Sequence, residues 1–128
     1  VPFRRVPSLP SWETDMDSFQ TFDQRTLVGS GPELLYEVPA NFAAIIKTFE
    51  LVNIGADDDT VTIWSVPDGE TVTDEWIWRP PTAIEPTGEL TFVGSMALEA
   101  GRSVWAESDG TSTLNSILAG LLVDETPA

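Results

Sequence analysis

The sequence predicts an all-β domain, an antiparallel β-sandwich or jelly roll of about seven to eight strands, preceded by an extended N-terminal arm. Two observations lead there. From residue 31 onward, short runs rich in β-branched and aromatic residues alternate with Pro, Gly and Asp turn chemistry, and no convincing helical period lies between them. The 128 residues are also 41% hydrophobic with five Trp and six Phe, enough to build one core without staples.

Residues 1–30 form the arm in this reading and residues 31–128 the sandwich. Pro2, Pro7 and Pro10 each fix a backbone angle and remove a donor, which favours extended or polyproline-like chain. A short helix over 12–19, capped by Ser11, would place Trp12, Met16 and Phe19 on one face. Phe3, Trp12, Phe19 and Phe22 are costly to leave in water, so the arm folds back on its own domain or reaches a neighbouring subunit. With Arg4 and Arg5 they are the candidate contact residues of the arm.

The strands follow in order. Leu34–Val38 is stopped by Pro39, and Ala43–Ile54 by Gly55 and Asp57-Asp58-Asp59. Within the second run Lys47 shares a face with Phe49 and Leu51, so a bulge, a sheet rim or a snorkelling ammonium is expected there. Thr60–Val66 alternates cleanly, with Val61 and Ile63 opposite Thr60, Thr62 and Trp64, and Pro67-Asp68-Gly69 turns the chain. Asp74–Trp78, Leu90–Leu98, Arg102–Glu107 and Thr113–Val123 complete the set, with Pro80-Pro81 among the punctuation. The last strand is apolar on both faces from Ile117 to Val123, which fits burial on both sides or an outer face that meets a partner. Gly120 within it marks a bulge or a close backbone approach.

Charge removes several functions. Twenty-one acids against six bases give a net charge of −15, which repels phosphate backbones and anionic membrane surfaces, so neither nucleic acid nor membrane is an expected partner. Three of the six cations, Arg4, Arg5 and Arg25, lie in the first 25 residues beside four acids. That segment is thus near −1 and the remainder about −14. Without Cys or His there is no thiolate, no Ser-His-Asp triad and no imidazole or sulfur metal site. No apolar run approaches the roughly 20 residues that span a bilayer. Pro7, Ser8, Pro10 and Ser11 stand where a signal peptide would need apolar residues, so none is expected.

Candidate chemistry is sparse. Asp57-Asp58-Asp59 lacks the spaced ligands and fixed glycine of a calcium loop and reads as a solvated turn. Trp76 and Trp78 sit two apart on an expected strand and hence on one face, where they would pack a core, anchor a subunit or stack on a sugar ring. Phosphate loops, dinucleotide turns and nucleophile elbows are absent from the sequence. No catalytic residue, metal or cofactor is expected.

Tyr36-Glu37-Val38-Pro39-Ala40-Asn41 followed by Ala44-Ile45-Ile46-Lys47 and Leu51-Val52-Asn53-Ile54-Gly55 resembles the opening of small β-sandwich virion proteins of tailed bacteriophages. Thr60-Val61-Thr62-Ile63-Trp64 with Val66-Pro67 and Gly69 is similar to their next strand. Leu98-Glu99-Ala100-Gly101-Arg102-Ser103 is similar to a late phrase that usually carries an acid where Arg102 stands. The resemblance runs in order over roughly residues 34–123 and has no counterpart for the arm. It implies a non-enzymatic structural role, a capsid decoration (cement) protein on the virion surface that binds the major capsid protein or other virion proteins. It also implies a homo-oligomer, a trimer by analogy. A tail, collar or fibre-attachment component is the alternative within virions. A carbohydrate-binding sandwich using Trp64, Trp76, Trp78 or Trp105 is the alternative outside them.

Overall fold

A computed structural model describes residues 18–126. Eight strands run in order: β1 (Ser18–Thr26), β2 (Glu33–Glu37), β3 (Phe42–Asn53), β4 (Asp59–Val66), β5 (Ile77–Ile84), β6 (Glu89–Leu98), β7 (Ser103–Ser108) and β8 (Leu114–Asp124). One sheet has the order β1-β8-β3-β6 and the other β2-β7-β4-β5, with every paired strand antiparallel. Only β4 and β5 are consecutive within a sheet; every other connection crosses between sheets. That interleaving is the double Greek key of a jelly roll, one of the two architectures the sequence predicts.

Alternation places the core. Ala44, Ile46, Phe49 and Leu51 of β3 meet Val61 and Ile63 of β4, with Val104, Ala106, Leu114 and Leu118 from the last two strands, all nearly inaccessible. Lys47 sits at a register shift between Ile46 and Thr48, so the alternation resets without burying it, and its Nζ donates to Ser95 Oγ at 2.6 Å. The bulge and the exposed ammonium both match the expectation.

Each open side of the sandwich is closed by aromatic rings. Between β1 and β2, Phe22 stacks on Tyr36 with centroids 4.4 Å apart. Between β5 and β6, Trp78 packs edge-on against Phe92 at 5.3 Å and tilted on Phe49 at 5.9 Å. Trp78→Ala is therefore expected to lower stability by about 2–3 kcal/mol, read as a lower urea midpoint at unchanged slope.

Three expectations are corrected. The sandwich includes β1, so the arm does not extend to residue 30, and Ser18 and Phe19 begin a strand instead of ending a helix. The rest of that expected helix, with Phe3, Arg4, Arg5 and Trp12, lies outside the described residues. Asp74–Trp76 is a 3-10 turn, so Trp76 and Trp78 do not share a strand. Pro80-Pro81 does not end an element but sits inside β5, where the register shifts between Val61 and Ile63. β5 is an edge strand, and a bulged edge tolerates prolines because their missing N–H groups have no ladder partner to lose.

Candidate functional site

The outward side chains of the β1-β8-β3-β6 sheet come from four distant segments, and register alone brings them together. One row crosses the whole sheet as Phe19, Leu121, Ile45 and Ala97. The next reads Thr21, Ala119, Thr48 and Val93. Beside the first row, Val123 pairs with Ala43. Farther along, the face becomes more polar through Gln24, Ile117, Glu50 and Thr91, then Thr26, Asn115, Val52 and Glu89. A concavity of about 530 Å³ opens at this polar end, lined by Gln24, Glu50, Val52, Ile54 and Ile117.

Exposure separates this face from ordinary sheet surface. Phe19 is 65% exposed, Val93 75% and Ile54 59%, three of the five large hydrophobic side chains left open to solvent among the described residues. Glu50 and the bulged Lys47 are the only ionisable side chains among the outward positions of central strands β3 and β8, although 21% of the chain is charged. With Lys47, Glu50 and Glu89 as its few ionisable groups, this face is poor in charge for so acidic a protein. The doubly apolar run Ile117–Val123 accordingly has Leu118 in the core and Ile117, Ala119, Leu121 and Val123 outside, half-buried.

Gly120 brings the two central strands close together. A Cβ on it would run into the carbonyl oxygen of Ile45 and lie 3.0 Å from Lys47 N, so β3 and β8 approach too closely there for any other residue. Both the bulge and the close approach expected at this glycine occur, with Gly120 opposite Ile46 at the register shift.

The outer face of the second sheet is different. Trp64 pairs with Trp105 there, and Trp64 is only 6% exposed although it lies outside the core cluster. Its Nε1 finds no hydrogen-bond partner among the described residues, whereas Trp105 Nε1 donates to Ser103 Oγ at 2.8 Å.

Trp76 and Trp78 do meet, lining a shallow groove of about 360 Å³ with Glu75, Met96, Glu99 and Arg102. Trp78 spends its ring on Phe49 and Phe92. Arg102 is equally committed: Nε donates to Glu99 at 2.9 Å, and one terminal nitrogen donates to Ser65 O and Oγ at 3.2 and 3.1 Å. Among the described residues Trp78 makes two ring-ring contacts and Trp76 none.

Arg102 gives the late sequence phrase a local role. Its guanidinium holds the Glu99 carboxyl below its ordinary pKa, helped by a backbone hydrogen bond. A carboxyl depressed in the fold adds stability above its unfolded pKa and loses it as pH falls through the folded value. Glu99 is 57% exposed, so the pair is worth less than about 1 kcal/mol. Arg102→Ala is expected to remove that increment and flatten the fall in urea midpoint between about pH 5 and pH 3.

The acidic turn is also more than solvated. Asp57 and Asp58 are exposed as expected, but Asp59 is fully buried. Its carboxylate accepts from Ser108 Oγ at 2.8 and 2.9 Å, Ser112 N at 2.9 Å and Asp109 N at 3.2 Å. Buried Asn53 donates to Asp57 O and Ile84 O and accepts from Gly55 N and Ser112 Oγ. The pair ties three turns together at one end of the sandwich, and nothing in the sequence pattern separates Asp59 from its neighbours. Among the described residues, no group of three or more carboxylates converges on a cation-sized site.

No protein-family model matches the chain, and no curated protein matches it.

Proposed function

We propose that this chain is a non-enzymatic virion structural protein, a capsid decoration protein that binds the outside of a tailed-phage head and stabilises it. The observation that carries this reading is the contrast between a chain of net charge −15 and one charge-poor sheet face with an apolar stretch. A protein of a particle's coat meets its neighbours in the coat, copies of itself included, through such a face and water through the rest. The ordered phrases from Tyr36 to Ser103 supply the virion context by resemblance. Its partners in this reading are the major capsid protein and further copies of itself.

Adding the chain to heads that lack it tests the proposal. Saturable binding to the outer surface, with heads that then withstand higher temperature before releasing their genome, is the expected outcome. Binding confined to tails or collars would instead favour a tail component. For the groove at Trp76, tryptophan fluorescence titrated with glycans separates the readings: a saturable response would favour a carbohydrate-binding sandwich over a decoration protein.

A further inference from the structure

We propose that the outer face of the β1-β8-β3-β6 sheet is where two copies of this chain pair about a two-fold axis. The inference concerns the chain alone and stands whether or not it decorates a capsid.

The occupant follows from the chemistry of the face. Its central strands carry Glu50 and the bulged Lys47 as their only ionisable outward groups, so a strongly charged partner would leave its charges unpaired against alkyl groups. What fits is another sheet face with few charges and an apolar stretch, and the chain itself has one. Sheets stack face to face with strands nearly aligned, about 30° apart, and about 10 Å between them.

Register makes the face complementary to itself. The order β1-β8-β3-β6 puts the middle of the sheet between β8 and β3. A two-fold axis along the strands at that midpoint sets β8 over the partner's β3 and β1 over the partner's β6. The apolar row then meets its own reverse. Leu121 faces the second copy's Ile45, and the large, 65% exposed Phe19 faces the small side chain of its Ala97. In the next row the exposed Val93 faces Thr21, and Ala119 faces Thr48. Phe19 over Ala97 sets large against small, while Leu121 over Ile45 and Val93 over Thr21 bring branched side chains of similar size together.

The area is sufficient. Four strands about 4.8 Å apart, with β8 11 residues long at about 3.4 Å each, give a footprint on the order of 700 Å² per copy. Stable pairs bury about 800 Å² per partner. Two bodies of charge −15 repel, so added salt strengthens this contact by screening, opposite to its effect on a pair held by opposite charges.

Sedimentation equilibrium of the full chain across a range of concentration and salt tests the pairing. Wild type is expected to form a two-chain species that tightens between about 0.05 and 0.5 M salt. Phe19 and Ala97 both face solvent, so exchanging them leaves the core intact. Phe19→Ala and Ala97→Phe are each expected to weaken association about tenfold or more, and the double variant to restore it to within about threefold, because large then meets small again. A monomer at about 100 μM would overturn the proposal, leaving the face for another segment of the chain or another protein. A three-chain species, or two single variants whose effects simply add, would overturn the two-fold arrangement as well.

Discussion

Gly120→Ala will destabilise the sandwich by about 3 kcal/mol or more, among the largest losses any single methyl can cause in this chain. The added carbon would run into the Ile45 carbonyl oxygen, and the obstructing atom is backbone, not the end of a flexible side chain. Relief requires β3 and β8 to part, and these strands form the middle of their sheet, paired from Phe42/Asp124 to Asn53/Leu114. Urea unfolding followed by circular dichroism will show a much lower midpoint, or no folded baseline at all. A midpoint within about 0.5 kcal/mol of wild type would show that the bulge at Lys47 absorbs the methyl.

The second large effect falls at the other end of the molecule. Asp59→Ala removes the acceptor of Ser108 Oγ and Ser112 N together, while Asp109 N keeps Thr60 O at 3.0 Å, and each donor left without a partner in a buried site costs about 1–3 kcal/mol. Solvent reaches part of this network through the turn at Asp109, so an overall loss of about 3–4 kcal/mol is expected. Asp59→Asn should lose nearly as much, since one carboxylate oxygen becomes a donor facing donors. Asp57→Ala and Asp58→Ala, at exposed positions of the same acidic run, should change stability by less than about 0.5 kcal/mol. Equal effects at all three acids would contradict the burial that singles out Asp59.

How much of this was legible in sequence depends on where the period of two survives. β4 and β7 run without a bulge against each other, and the alternation of β4 reads directly from Thr60 to Ile63, beyond which Trp64 and Val66 are both buried. β1 shows no apolar stripe because its two phenylalanines are three apart and so take opposite faces, Phe19 outward and Phe22 in toward Tyr36, and the register shift between Thr21 and Asp23 breaks the period beyond them. The Trp76/Trp78 strand was misread for a related reason, since a 3-10 turn mimics short spacing. Edge position, a property of the whole sheet, is what excuses Pro80 and Pro81.

The candidate face was half legible. Ile117 to Val123 announces a strand apolar on both sides, but its neighbours Phe19, Ile45 and Ala97 lie far off in the chain and look unremarkable in their own segments. Only strand order assembles them, and strand order in an all-β chain is set by long-range pairing that local composition does not encode. The choice of jelly roll over other sandwiches was open for the same reason. Arg102 shows the converse: a residue that departs from the virion phrase acquires its meaning from Glu99 and Ser65.

On the proposed function, this acidic sandwich works by coating a particle and not by catalysis or small-ligand binding. Counting its copies per purified particle, by quantitative mass spectrometry against the major capsid protein, tests that most directly. A decoration protein will be present in hundreds of copies, in fixed proportion to the capsid subunits, and will be stripped from intact heads without exposing the genome. A count near six or twelve would place it at the portal or tail, and absence from particles would contradict the virion role altogether.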